Sequence, residues 1–301
     1  IFISHAHQDH YGFVNFVQDK IPFYLGEYAK KLIDITSKFT GAKVKIEKFT
    51  YVQDRVAIKL GAFEIIPYSV DHSAFDAYAF LIKVDNKSFF YSGDLRAHGR
   101  KTWAFPNLLR DLPKGIDAVM LEMTMLGRKE AEYLKEQDLE GVFINKIKES
   151  KGLVLLESSA QNIDRMVTAY RAALQTDRDF VMDGYTAYVY RHLGTEFLPN
   201  DTWKRVRVYF NKNYQIKSRG EEIPEELLFP FNHTRIKGEE IAANPSKYVM
   251  CFRQSMVRDF DERWANHIPV RALDSASYIY SLYGGYWKKM DEMRKFLADY
   301  K

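Results

Sequence analysis

The chain has 301 residues, 46% hydrophobic and 28% charged, with a formal net charge of +4, the profile of an ordinary soluble globular protein long enough for two packed domains. Its single cysteine, Cys251, excludes an internal disulfide and a cysteine-based zinc finger, and fits a reducing, cytoplasmic setting. No apolar run reaches the ~18 residues of a membrane span, no secretory leader is visible, and the mild positive charge permits a polyanionic partner without requiring one.

Ile1-Phe2-Ile3 is a short apolar run that stops at Ser4, the pattern of a buried strand ending in a polar loop. The chain therefore opens inside an apparent strand, and it closes on a helix-like segment; both ends are expected to be cut. The spacing of Phe13, Phe16 and Val17 predicts a helix over 13–20 with those three on one face. Strand-like runs follow at 44–49, 56–60 and 63–68. A hairpin is predicted over 77–91, turning at Asp85-Asn86-Lys87. A strand at 117–123 and a long helix over 130–149 come next.

From Gly152 the pattern changes. A strand at 152–156 precedes a helix at 162–174, and a strand at 180–182 precedes a helix at 185–193. Strand-then-helix alternation predicts a parallel sheet covered by helices, so the fold class is α/β. Later strands are expected at 206–210, 248–252 and 268–272. The charged stretch 214–244 reads as an exposed loop with a short helix. After Ser275 comes a Gly284-Gly285 break and then an amphipathic helix. Two α/β units result, one over 1–148 and one beginning at Glu149.

Ser4-His5-Ala6-His7-Gln8-Asp9-His10 carries the chemistry. Four donors, His5, His7, Asp9 and His10, fall within six positions just after a strand. His5 and His7 alternate, so they point the same way off an extended backbone. Asp9 and His10 fall on the turn into the next helix. Imidazole nitrogen and carboxylate oxygen suit zinc; a histidine-rich surface loop that binds nothing is the competing reading.

This H-x-H-x-D-H run resembles the signature of the metallo-β-lactamase superfamily. The resemblance implies an αββα sandwich and two Zn(2+) ions, with Mn(2+) as the alternative. It also implies further ligands downstream at strand ends. His72, in Val70-Asp71-His72-Ser73, and Asp94, in Ser92-Gly93-Asp94, stand in that order. By the resemblance, His5, His7 and His72 hold one zinc, Asp9 and His10 hold the second, and Asp94 bridges. Asp9 also orients the nucleophile. The last histidine of the second site is expected beyond Lys301, because His98, His192, His233 and His267 stand in other contexts.

Glu122, at the end of an apolar run, resembles the acidic residue that opens the β-CASP subgroup, whose members carry an inserted α/β domain. Read alone, it is equally a surface glutamate. The segment from Gly152 to Arg165 resembles the first β-CASP element of ribonuclease J-like enzymes, with Gln161 and Asp164 where those have Ser and His. The resemblance sets Ser158, Ser159 and Asn162 at a helix N-terminus, where free N–H groups favour a substrate phosphate. Plain helix capping by the same residue types is the alternative.

The implied domains are a metallo-β-lactamase domain over 1–148 without its first strands, an inserted β-CASP-like α/β domain over 149–274, and a segment at 275–301 returning to the first domain. The expected function is zinc-dependent cleavage of RNA phosphodiester bonds, exo- or endonucleolytic, by a metal-activated hydroxide, with Glu122 supporting the site. Single-stranded RNA is the expected partner, a membrane is not, and a homodimer is compatible with this reading. Arg96, Arg100, Lys101 and Arg165 read equally as phosphate contacts and as solvated charges. The alternatives are hydrolysis of a small ester, thioester or lactam, and a non-catalytic RNA-binding fragment.

Overall fold

Ile1–Ser4 runs extended because its main chain is bonded on two sides. The Tyr24 N–H donates to Ile1 O (2.7 Å), Ile3 N–H donates to Tyr24 O (2.9 Å), and Tyr78 N–H donates to Ser4 O (2.9 Å). In this computed structural model the described residues are 1–40, 44–127, 134–210, 229–260 and 267–300. They divide into two units, Ile1–Gln137 and Asp138–Lys301.

In the first unit the chain passes through α1 (Gln8–Tyr11), β1 (Phe23–Leu25), α2 (Glu27–Thr40) and β2 (Phe49–Tyr51), with β1 and β2 paired in parallel. Asp76 caps α2 from a distance: the Tyr28 and Ala29 N–H groups donate to its Oδ2 at 2.8 and 3.3 Å, satisfying donors that a helix start leaves open. The second sheet has the order β3 (Ile58–Leu60), β4 (Phe63–Ser69), β5 (Tyr78–Val84), β6 (Lys87–Tyr91), β7 (Ala118–Met120). The β5–β6 hairpin turns at Asp85 and Asn86, at φ 47° and 58°, the paired positive φ that matches strand twist in a two-residue turn. Only β7 lies parallel to its neighbour, reached through α3 (Ala104–Asp111).

Two sequence expectations for this unit are corrected. The helix expected over 13–20 is a single 3-10 turn, Val14–Phe16. Such a turn nearly eclipses side chains three apart, so Phe13 and Phe16 project together, 80% and 82% exposed, while Val14 is buried. The strand expected at 44–49 is realised as β2, which only begins at Phe49.

The second unit begins within α4 (Glu136–Glu149), so the boundary falls at 137/138 rather than 148/149. The physical reason is Arg178, which is buried and donates to the carbonyls of Ile147, Ser150 and Gly152 at 3.1, 2.6 and 2.7 Å. Those bonds satisfy main-chain acceptors at the end of α4 and just beyond it. The first four residues of the helix expected over 130–149 lie outside the described residues.

The sheet of this unit is wholly parallel. Its order is β11 (Arg235–Ile236), β10 (Val206–Tyr209), β9 (Asp179–Asp183), β12 (Tyr248–Phe252), β8 (Val154–Glu157), β13 (Ser277–Tyr280). Helices α5 (Ile163–Gln175) and α6 (Gly184–Leu193) follow β8 and β9, capped by Asn162 and Asp183. Strands buried on both faces read as unbroken apolar runs, as in Tyr248–Phe252, where every residue is buried.

Three further expectations change here. The strand expected at 268–272 is a 3-10 turn, Val270–Leu273, started by Pro269. Of the stretch 214–244, residues 214–228 lie outside the described residues, and the remainder forms β11 and α7 (Gly238–Ala243) together with a fully buried Phe231. The segment 275–301 packs in the second unit instead of returning to the first. After Ser277 it becomes β13 alongside β8, followed by α8 (Gly284–Trp287) and α9 (Asp291–Asp299). Met293 and Phe296 of α9 join the core around Met250 and Phe252, and burial of each such side chain contributes ~1.5–3 kcal/mol.

Candidate metal centre

His5 follows the extended Ile1–Ser4 segment, and its side chain is fully buried. Its Nδ1 lies 3.1 Å from Ser4 Oγ, and its Nε2 has no hydrogen-bond partner. A buried polar atom left unpaired is costly, so an orphaned imidazole nitrogen needs a reason. The reason is visible around it. One ligand atom each from His5, His7, His72 and Asp94 lie within 4.8 Å of one another. His7 Nδ1 and His72 Nε2 face each other at 3.1 Å, and Asp94 Oδ2 is 3.8 Å from both His5 Nε2 and His72 Nε2.

The other oxygen of Asp94 meets a different donor. Asp94 Oδ1 lies 3.2 Å from His10 Nε2, and Asp9 Oδ2 lies 3.7 Å from the same nitrogen. One carboxylate thus lies beside three imidazoles, with Oδ2 by His5 and His72 and Oδ1 by His10, whose ring centroid is 4.0 Å from that of His5. His7 is the last extended residue before α1, and Asp9 and His10 lie within that helix. Asp9 stands outside the tight four-donor group, with its side chain 80% exposed.

Loops after three strands position the downstream donors. His72 follows β4 and Asp94 follows β6. Gly93, at φ 54°, allows the approach, because a Cβ there would come within 2.9 Å of Ser4 Cβ and 3.0 Å of Tyr78 O. Glu122 follows β7. Its main-chain N–H donates to Ser92 Oγ (2.9 Å), and its Oε2 accepts from Leu95 N–H (3.3 Å). Glu122 therefore grips the residues on either side of Asp94.

Burial, reinforced by the neighbouring imidazoles, pushes the pKa values of His5 and His72 far below the ordinary histidine range. His10 moves up, chiefly through its hydrogen bond to Asp94, and Asp94 moves down for the same reason. At neutral pH His5 and His72 therefore offer neutral imidazole lone pairs and Asp94 an ionised carboxylate, the protonation states that metal binding requires, whereas His10 would have to give up its proton to join them.

In the second unit, Ser159 Oγ accepts from Gln161 N–H (3.2 Å) within the turn before α5, and Asn162 Oδ1 caps that helix by accepting from Arg165 N–H (3.4 Å). Ser158 differs: it is buried and its Oγ has no partner. Sequence reasoning missed the neighbouring Glu157, which ends β8, is 5% exposed, and accepts from Tyr278 Oη at 3.3 Å. Burial pushes its carboxyl up to about 7, against the pull of Tyr278 and Arg253. The unfolded chain releases that proton near the ordinary ~4.3, so the folded chain holds it longer. Stability from this group is present below that value and is lost as the pH rises to about 7. Glu157→Gln is expected to stabilise the protein at pH 8 by about 2 kcal/mol more than at pH 5. Urea denaturation at both pH values reads this, and equal effects would reject it.

Residues 1–173 match the family described as "Beta-lactamase superfamily domain". The chain is 26% identical over 209 residues to Ribonuclease J of Helicobacter pylori, covering 66% of this chain and 30% of that protein. It is 28% identical over 194 residues to Ribonuclease J of Mycoplasma genitalium, covering 61% of this chain and 33% of that protein. The chain thus spans about a third of the length of these curated relatives. A crystal structure of a protein of unknown function from Enterococcus faecalis V583 superposes over 99% of this chain and 66% of its own, with a TM-score of 0.73 at 18% identity. That likeness concerns the fold.

Proposed function

The chain belongs to the beta-lactamase superfamily, and on that premise we propose that it is a zinc-dependent ribonuclease, with the second unit serving as an inserted β-CASP-like domain. The observation that carries the reading is the convergence of His5, His7, His72 and Asp94 within 4.8 Å around a buried, unpartnered His5 Nε2. That donor set of three imidazoles and one carboxylate fits zinc. His5, His7 and His72 would hold one ion, His10 and Asp9 a second, and Asp94 would serve both. The similarity to Ribonuclease J over most of the chain supports RNA over a small lactam.

When bound, the ions supply Lewis acidity that acidifies water and polarises a phosphate oxygen. The chain's own groups do the rest. Burial keeps the His5 and His72 imidazoles neutral, so their lone pairs are available. The hydrogen bond from His10 lowers the Asp94 pKa, a role that an ion held by His10 would take over. Asp9, exposed beside His10, offers a carboxylate oxygen to orient the attacking water and accept its proton. Glu122 acts on the loop carrying Asp94. Ser158, Ser159 and Asn162, at the start of α5, are the proposed phosphate contacts. The N-terminal end of the helix dipole supports them.

The test is cleavage of a labelled single-stranded oligoribonucleotide, run beside a chromogenic lactam, before and after chelation. RNA cleavage that disappears with the chelator and returns with added zinc or manganese is the expected result. Lactam turnover without RNA cleavage would overturn the substrate assignment. A protein that cleaves RNA with no metal by elemental analysis would overturn the mechanism.

A further inference from the structure

We infer that Asp71 is the positioning residue of this centre, fixing the loop that carries Asp94 against the loop that carries His72; the inference rests on the metal-centre reading above. Asp71 directly precedes His72 and is 2% exposed. A buried carboxylate is tolerated only when its oxygens are paired, and both are. Oδ2 accepts from Gly99 N–H at 2.7 Å, and Oδ1 accepts from Arg96 Nε–H at 3.4 Å. The main-chain carbonyl of Asp71 accepts from Arg96 N–H at 2.8 Å. All three bonds go to the segment between β6 and α3, and Arg96 lies two residues beyond Asp94.

Asp71 therefore sits at the hinge of the geometry that matters. On one side its own backbone continues into His72. On the other it anchors the residues that follow Asp94, and His72 Nε2 and Asp94 Oδ2 stand 3.8 Å apart across that join. Gly99 is part of the same fit, because a Cβ there would lie 2.3 and 2.4 Å from the two Asp71 oxygens. A shift of about an ångström in this loop would take Asp94 out of range of a shared ion, since ligand distances are tight.

The experiment compares the native chain with Asp71→Ala, Asp71→Asn and Gly99→Ala, using cobalt(II) as the probe ion. Asp71→Asn keeps the size but turns one acceptor into a donor that faces another N–H. Gly99→Ala leaves the carboxylate intact and displaces it, so it decides the matter if the Asp71 variants fail to fold. The readouts are the cobalt visible spectrum and the affinity from chelator competition, both on protein shown to be folded by circular dichroism. The expected result is an altered spectrum and about 10- to 100-fold weaker binding, the usual cost of losing a residue that orients a ligand. A merely structural role would lower stability and leave the spectrum of the folded protein unchanged. Folded variants with native spectrum and affinity would overturn the role of Asp71. A native chain that takes up no cobalt would instead overturn the metal-centre reading itself.

Discussion

Replacing His7 with alanine is expected to abolish hydrolysis and lower the bound metal. His7 Nδ1 faces His72 Nε2 at 3.1 Å, and the imidazole is one of four donors in the group. Removing it leaves three of the four donors of that group. Charge stabilisation by a bound ion is worth several kcal/mol in the transition state, so the loss is on the order of 10³-fold or more in rate. Asp94→Ala should act on the whole centre, because one of its oxygens lies by His5 and His72 and the other by His10. Zinc per chain, measured by elemental analysis, should fall below that of the native protein. A His7→Ala protein with native rate and native zinc content would refute the metal assignment.

The largest stability effect is expected at Asp183. Its side chain is fully buried at the end of β9, where it caps α6 by accepting from Thr186 N–H at 3.1 Å. It also accepts from Thr186 Oγ1 at 2.8 Å. Arg253, just after β12, reaches it with two nitrogens, at 2.7 and 3.2 Å. One carboxylate therefore ties together two neighbouring strands and a helix start. Asp183→Ala removes a helix cap and takes from a largely buried guanidinium the carboxylate it pairs with. A lost cap costs ~1 kcal/mol, and breaking a buried pair from one side costs about 3–5 kcal/mol. A fall in unfolding free energy of about 4 kcal/mol is expected in urea denaturation. Asp183→Asn, which keeps a capping oxygen, should recover only the smaller part. A loss below about 1 kcal/mol for Asp183→Ala would show that Arg253 finds another partner.

Much of the second unit was legible because its signals are local. The run Tyr248–Phe252 is a strand with the bounds expected for it, since burial on both faces leaves a continuous apolar word. The expected helix over 162–174 is α5, and Asn162 caps it as its residue type suggests. The errors are equally physical. Phe13, Phe16 and Val17 have helical spacing, but the segment closes as a 3-10 turn and two of the three face solvent. The apolar word at 268–272 lacks a neighbouring strand and contains Pro269. In the first unit, α2 drew no expectation, and its cap comes from Asp76, 48 residues from Tyr28.

By itself the sequence determined the loop after the first apolar run with its donors His5, His7, Asp9 and His10, together with the turn at Asp85-Asn86 and the starts of α5 and α6, whereas α1, which holds Asp9 and His10, drew no expectation. Those features depend on backbone preferences and capping bonds that act over three or four residues. Only the tertiary structure decided which distant groups meet. His72 reaches His7 across 65 positions, Asp71 reaches Gly99 across 28, and Tyr278 reaches Glu157 across 121. It also decided that 275–301 packs beside β8. These pairings follow from which strands lie side by side, and a strand's own pattern of apolar and polar residues states which face is buried without naming its neighbour.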